Sequence, residues 1–242
     1  MTSNSETQIG DDIALQDALD REAATQEILQ VISRSRDDEK PVFDAILENA
    51  ARLCDSPMAS LNLLDEKSAR LVLRAHWGVA LDHFEEGVTE WPLDGSSAPA
   101  VAVRECRMVH IEDLAQTEAY KRGDPIRVKS VDKEGIRTFL VVPLMRGGAA
   151  VGCIALFRRE TKLFDERHVD LVKAFATQAV IAIENVRQFR ELQTRLEREA
   201  ATREILQVIS QSRDDVQPVL EIIVRNAARL CNAPGTTRKW VR

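Results

Sequence analysis

The fold of this chain is decided by residues 137–158, RTFLVVPLMRGGAAVGCIALFR, in which two apolar runs flank a pair of glycines. Both runs are rich in valine, leucine, isoleucine and phenylalanine, a composition typical of strands. The pair Gly147-Gly148 favours a tight hairpin, because glycine adopts the backbone angles that such turns require. We therefore predict two antiparallel strands, at 137–145 and 149–158.

Shorter apolar runs upstream predict the rest of a sheet. A short segment with four polar residues, Asp65, Glu66, Lys67 and Ser68, lies between MASLNLL and RLVLRAH, which is typical of a second hairpin. A short helix, APAVAVREC, can be capped by Ser96 or Ser97. The predicted upstream strands are 58–64, 70–76, 88–91 and 108–111.

Amphipathic helices are predicted on both sides of these strands. One covers 12–35, a second presents apolar residues between Val42 and Leu53, and a third begins near Asp165 and continues for roughly 45 residues. The third helix carries apolar residues at the 3-4 spacing of a coiled-coil seam, extended after a one-residue slip. These seam residues are Val172, Phe175, Ala179, Ala182, Val186, Phe189, Leu192, Leu196 and Ala200. We expect a parallel homodimer through 12–35 and 172–200, although contact with the chain's own sheet explains 169–186 equally well.

An internal repeat sets the domain boundaries. Residues 15–57 align without a gap on residues 192–234, with about 29 of 43 positions identical. The apolar run MASLNLLDE follows the first copy, whereas GTTRKWVR follows the second, so we expect the second copy to stop where its first strand should begin. The chain is then either a fragment of a larger protein or a truncated gene product. The predicted divisions are a disordered N-terminus at 1–11, an N-terminal helix at 12–35, one domain at 36–190, a linker helix at 191–212, the start of a second domain at 213–234 and a disordered tail at 235–242.

Composition excludes several classes of protein. The chain has 242 residues with 33 basic and 39 acidic side chains, so its net charge of −6 is unlike that of a nucleic-acid-binding protein. No apolar run approaches the roughly 20 residues of a membrane span, and residues 1–10 lack the features of a signal peptide. The four cysteines form no CxxC pair, which indicates reduced thiols in a cytoplasmic protein.

The order of these segments resembles the GAF domain, in the tandem form found in bacterial sensor histidine kinases and nucleotide cyclases. The resemblance covers 36–190 and rests on VHIEDL, the 137–158 hairpin and FDERHVDLVKAFATQAVIAIENV, in that order. It implies an α+β fold, with an antiparallel sheet of five or six strands, helices on both faces and long flanking signalling helices. It also implies dimerisation through the terminal helices and a small-molecule pocket under the connections of 77–135. It identifies no cofactor, because GAF domains bind cyclic nucleotides, bilins, haem or metabolites, and many bind nothing.

Six residues are candidates for such a pocket. Cys106 is the thiol best placed for bilin attachment or redox sensing, or it is an inert thiol, since Arg107 stands where bilin-binding GAF domains usually have histidine. His110 can bind haem iron or a ligand, or be structural. Arg137 can meet an anion or be an ordinary exposed charge at a strand end. The remaining candidates, expected to line the pocket, are Trp91, Tyr120 and Phe139.

Two other kinds of site are not expected. Phosphodiesterase GAF domains that bind cyclic nucleotides carry an Asn-Lys…Phe…Asp-Glu pattern, but here Asp165 and Glu166 follow Phe164 directly, which is the wrong spacing. Asp165 is better explained as a helix cap. His76, His83 and His168 have no partners at metal-ligand spacing, so we predict no metal.

Three functions remain open. The first is a sensor that couples small-molecule binding to a histidine kinase or cyclase output in a longer or partner protein. The second is a structural dimerisation module with an empty pocket. The third is an enzyme of the free methionine-sulfoxide reductase type, which needs an attacking and a resolving thiol around the pocket. Only Cys106 lies in the pocket-forming stretch, so we predict that the chain is not an enzyme.

Overall fold

The computed structural model describes residues 3–35, 37–79 and 85–211, and a six-stranded antiparallel sheet organises them. The strand order is β3-β2-β1-β6-β5-β4. The strands are β1 (Met58–Asp65), β2 (Arg70–Gly78), β3 (Glu90–Pro92), β4 (Val109–Ile111), β5 (Thr138–Arg146) and β6 (Ala149–Arg158). The predicted antiparallel sheet is confirmed, and its central hairpin turns at Gly147-Gly148, where both glycines have positive φ angles.

The described residues also form six α-helices. They are α1 (Ser3–Arg34), α2 (Lys40–Leu53), α3 (Ala98–Arg104), α4 (Glu118–Lys121), α5 (Pro125–Val128) and α6 (Glu166–Gln211). A 3-10 turn at Leu114–Gln116 and a π-helical turn at Lys129–Lys133 complete the connection from β4 to β5. None of the helices described has the length and apolarity that a bilayer crossing requires.

The N-terminal segment is helical from Ser3, and the C-terminal segment after Gln211 lies outside the described residues. Helix α1 begins at Ser3, whereas disorder was expected for 1–11. The segment from Ser3 to Asp11 contains no proline, and extending a formed helix is far easier than nucleating one. The expected second-domain start at 213–234 and the tail at 235–242 lie outside the described residues.

Both faces of the sheet are buried, each under its own set of helices. On one face, Leu140, Val142 and Leu144 of β5 join a core formed with α1, α2 and α6. On the other face, Val141 and the half-buried Phe139 pack with residues of α3. This alternation explains why the deciding hairpin is apolar throughout, since a strand covered on both sides has no solvent face.

The first part of the predicted coiled-coil seam belongs to this core. Val172, Phe175, Ala179 and Ala182 of α6 are at most 1% exposed and pack in the cluster that includes Leu140 and Ile154. Side chains so fully covered within one chain are not available to a second one. Between Val172 and Ala182, the apolar face of α6 therefore packs on the chain's own core, as the alternative to a dimer contact predicted.

The chain divides into a unit that ends at Val186 and a unit that begins at Arg187. The described part of the second unit, 187–211, is helical. Leu192 and Leu196 are 54% and 56% exposed in it, and Leu206 is exposed as well. Of these leucines, Leu192 and Leu196 belong to the predicted seam, and their exposure leaves them open to a partner.

Candidate functional site

A cavity of about 280 Å³ lies on the sheet face that α3 covers. Most of its lining comes from the connection between β3 and β5, and strands β1, β3, β5 and β6 supply the rest. The apolar lining residues are Trp91, Pro92, Ala98, Pro99, Leu114, Ile126, Ile136, Phe139 and Phe157. The polar ones are Ser60, Asn62, Glu90, Ser97, Arg127, Lys129, Ser130 and Glu134. Small-molecule sites combine apolar surface with polar groups that orient the ligand, and this cavity offers both.

Strand β1 brings Asn62 to this cavity. The strand pairs with β2 and β6, and its register with β2 shifts between Leu61 and Asn62. The amide nitrogen of Asn62 lies 3.4 Å from Ser60 Oγ and 3.8 Å from Cys153 Sγ, both long contacts. Its Oδ1 atom is buried and accepts no hydrogen bond from any residue that the structure describes.

Helix α5 brings Arg127 to the same cavity. Asp124 caps this short helix, since its Oδ1 accepts from the backbone N–H groups of Ile126 and Arg127 at 3.0 and 3.1 Å. The Arg127 guanidinium donates to the Ser96 carbonyl at 3.1 Å, while its buried Nε has no acceptor among the described residues. Burial lowers the pKa of Arg127, and the charge of Asp124 opposes that shift.

Of the six sequence-predicted candidates, Trp91 and Phe139 line the cavity. The other four are not among its lining residues. Tyr120 donates its hydroxyl to Asp132 at 2.8 Å. Arg137 forms a bidentate ion pair with Asp113, with both N–O distances at 2.7 Å, so a carboxylate of the chain already occupies its fork.

His110 and Cys106 also have local partners. His110 Nε2 accepts from the backbone N–H of Phe164 at 3.3 Å, and burial together with the charge of Arg158 lowers the pKa of this histidine. Cys106 is exposed just after α3, with a positive φ of 50° and its thiol 3.6 Å from the Val103 carbonyl. The geometry therefore gives both residues contacts that need no ligand.

The two other described cysteines are inert in this structure. Cys54 and Cys153 are buried, and burial raises the pKa of each thiol to about 12. A thiol of such high pKa is almost entirely protonated at neutral pH and is a poor nucleophile. Cys231 lies outside the described residues, as does His83. Within the described part of the chain, no three His, Cys, Asp or Glu side chains are grouped closely enough to hold a metal ion.

Asn62 and Arg127 were not among the pocket residues predicted from the sequence. A polar residue in the middle of the apolar run MASLNLL was the available signal for Asn62. For Arg127 the signal was Asp124-Pro125, a cap followed by proline, which is typical of a helix start. A charged residue in a long connection otherwise looks like an exposed one.

Comparison with known proteins places this geometry in a family. Residues 37–184 match the family model of the GAF domain. No curated protein matches the chain.

Solved structures share the fold at low sequence identity. The GAF domain of a phosphoenolpyruvate-protein phosphotransferase from Coxiella burnetii is 16% identical, with a TM-score of 0.60 over 72% of this chain and 96% of that one. Free methionine-R-sulfoxide reductase from Neisseria meningitidis, solved with its substrate, is 20% identical, with a TM-score of 0.57 over 72% and 93%. A domain of a two-component sensor histidine kinase protein from Sinorhizobium meliloti is 18% identical, with a TM-score of 0.51 over 63% and 95%. On the extent of the family match, and in agreement with the sheet and its helices, this chain belongs to the GAF domain family.

Proposed function

We propose that this chain is a sensory GAF module that binds a small molecule in the cavity and passes the occupancy of the cavity to a kinase or cyclase output in a longer or partner protein. The observation that carries the proposal is the cavity itself. Its aromatic walls surround buried polar atoms that no described residue satisfies, and a purely structural core normally pairs such atoms. The alternative of a structural module with an empty pocket does not account for them.

The setting of similar domains supports a signalling role. One of the solved neighbours is a domain of a two-component sensor histidine kinase protein, and another belongs to a phosphotransferase. We propose that 12–35 and 191–212 act as signalling and linker helices around the domain at 36–190. The residues 213–234 would then begin a second unit of the same kind, as the repeat indicates.

We propose further that the chain is a homodimer, with the exposed leucines as its contact. Leu19 and Leu29 of α1 are 50% and 47% exposed. In the repeat they correspond to Leu196 and Leu206, which are also exposed. Leucines kept at equivalent positions and turned outward in both copies favour contact with a second helix over contact with the chain's own core.

A reductase function receives less support. One neighbour is a free methionine-R-sulfoxide reductase, and that chemistry requires reactive thiols. The buried thiols of Cys54 and Cys153 are protonated, and the exposed Cys106 is not among the cavity-lining residues. We therefore propose a binding role without catalysis.

The ligand-binding claim is tested by screening a metabolite library for compounds that raise the thermal unfolding midpoint of the full chain. Binding to the native state alone stabilises it in proportion to ligand occupancy. We expect stabilising compounds whose effect disappears in Ser130→Trp, which places an indole ring in the cavity lining. The matched control is Ser68→Trp, in the exposed β1–β2 turn, which should respond as the wild type does. Stabilisation that persists in Ser130→Trp would contradict the proposed site.

A further inference from the structure

Two side chains of the cavity, Asn62 and Arg127, carry buried polar atoms with which no described residue forms a hydrogen bond. Asn62 is 1% exposed and Arg127 is 8% exposed. The unpartnered atoms are Oδ1 of Asn62, which can only accept a hydrogen bond, and Nε of Arg127, which can only donate one. Because leaving such atoms buried and unpaired costs free energy, their position in a cavity wall indicates a partner from outside the chain.

The partner of Arg127 must be an acceptor, and its charge favours an anion. No carboxylate of the described residues forms a salt bridge with this guanidinium. The nearby Asp124 uses Oδ1 to cap α5 and Oδ2 to accept from the Ser96 hydroxyl at 2.6 Å. Glu90, a lining carboxylate, is paired with Arg70. A buried guanidinium is stabilised best by a carboxylate held in its planar fork.

The partner of Asn62 must be a donor. Its amide nitrogen already lies near Ser60 and Cys153, and the free Oδ1 calls for an N–H or O–H group. Part of the remaining wall is apolar and includes Leu114, Ile136 and Phe139, which would contact an apolar body of the partner. The volume of about 280 Å³ lies just under the range of about 300–1,000 Å³ typical of drug-sized ligands, so the partner is small.

We propose that the cavity binds a small carboxylate with an apolar body and an N–H or O–H donor, of which apolar α-amino acids are the simplest examples. Arg127 binds the carboxylate and Asn62 accepts from the donor group. This inference rests on the proposed function, which makes the cavity a ligand site, and it adds the chemical class of the ligand.

Three matched sets of compounds test the carboxylate contact with Arg127 and the donor contact with Asn62 one at a time. L-leucine and L-phenylalanine carry both groups, 4-methylpentanoate and 3-phenylpropionate lack the amine, and 3-methylbutylamine and 2-phenylethylamine lack the carboxylate. Binding to the full chain is measured by isothermal titration calorimetry, with the thermal midpoint at about 10 mM compound as a second readout. We expect at least one amino acid to bind about tenfold or more tightly than its amine counterpart, and more tightly than its deamino counterpart.

Variants assign the contacts to residues. Arg127→Met should remove the preference for acid over amine and, without added compound, should raise the thermal midpoint, because it replaces an unpaired buried cation. Asn62→Leu should remove the preference for the amino acid over the deamino acid. The control is Arg137→Met, which removes an arginine outside the cavity and should leave both preferences unchanged.

The outcomes distinguish this inference from the function on which it rests. Amines that bind as tightly as acids, an acid preference that survives Arg127→Met, or no binding by any of the acids would overturn the inference. In those cases a compound of another class that stabilises the wild type but not Ser130→Trp leaves the sensory function standing. If no compound of any class shows that dependence, both proposals fail.

Discussion

Arg158 shows how one residue can connect three parts of the fold. Its guanidinium is 1% exposed and donates to the carbonyls of Cys54 and Asp55 at the end of α2 and to those of Lys162 and Leu163 ahead of α6. It also lies 4.0 Å from the centre of the Phe164 ring. The negative end of the α2 dipole and four carbonyl oxygens therefore stabilise this buried cation, and no carboxylate of the described residues forms an ion pair with it.

We predict that Arg158→Met lowers the free energy of unfolding by about 3 kcal/mol, because it leaves several buried carbonyls without donors. Urea denaturation followed by circular dichroism measures the change. Arg159→Met is the matched control, since the neighbouring arginine is exposed and makes one hydrogen bond to Glu134, and it should cost no more than about 0.5 kcal/mol. Equal effects of the two substitutions would show that the Arg158 contacts do not stabilise the fold.

The pKa of His110 makes stability depend on pH. Its Nε2 accepts from Phe164 only when the ring is neutral, and burial and Arg158 lower its pKa below the usual 6.5, while Glu112 acts in the opposite direction. Burial also lowers the pKa of His168, which packs edge-on against Phe164. A histidine with a lowered folded-state pKa binds protons more readily when unfolded, so its contribution to stability is complete above about pH 6.5 and is lost as pH falls.

We therefore predict that the free energy of unfolding decreases between pH 7.5 and pH 5.5 and that His110→Gln makes this decrease smaller. Glutamine keeps an acceptor for Phe164 but does not titrate. Urea titrations at several pH values measure the slope, and the double variant with His168→Gln should be flatter still. If the free energy of unfolding of His110→Gln depends on pH as steeply as that of the wild type, His110 does not cause the pH dependence.

At the residue scale, sequence pattern predicted the cavity only in part. Trp91 and Phe139 were expected from their residue type and position, and both line the cavity. Arg137 was a candidate either to meet an anion or to be an ordinary exposed charge, and the structure pairs its Nε and one terminal nitrogen with Asp113, which also caps the 3-10 turn. An arginine and its counter-ion can be far apart in the sequence, as Arg137 and Asp113 are, so a local sequence pattern does not predict the pair.

At the scale of elements, the β5–β6 hairpin was predictable and the connection from β4 to β5 was not. Glycine pairs and long apolar runs are strong local signals, and they located the strand boundaries to within a residue or two. Helices α4 and α5 have four residues each, too few for any periodic pattern. Their local signals in the sequence are the caps Thr117 and Asp124 and, for α5, the proline that follows its cap.

Gly152 in β6 is required by the close approach of β1. A Cβ atom at this position would lie 2.3 Å from the Asn62 carbonyl oxygen and 3.1 Å from Leu63 Cα, and both are backbone atoms that cannot move without disturbing the strand pair. We predict that Gly152→Ala lowers the free energy of unfolding by about 2 kcal/mol or more, measured by urea denaturation.

The control for this prediction is Gly147→Asn in the same hairpin. Gly147 has a φ of 57° and nothing within 4 Å of its would-be Cβ, and asparagine tolerates that conformation. It should therefore cost less than about 1 kcal/mol. A Gly152→Ala protein as stable as the control would mean that the strands can separate at little cost.

At the scale of the whole molecule, the exposed leucines predict self-association. Leu192→Glu combined with Leu196→Glu should shift sedimentation velocity from dimer toward monomer, because it places charges in an apolar contact. Thr194→Glu introduces the same side chain between them on the opposite side of the helix and should leave the dimer intact. If the double variant sediments as the wild type does, Leu192 and Leu196 do not form the dimer contact.

The central claim, that the cavity holds a small molecule, is tested most directly by native mass spectrometry of the full chain purified from its own host. We predict that the wild type carries an additional small-molecule mass that is released on denaturation. Ser130→Trp, purified in the same way, should lack this mass, and Ser68→Trp should retain it. Wild-type protein that carries no bound molecule, or a bound mass that Ser130→Trp retains, would contradict the account.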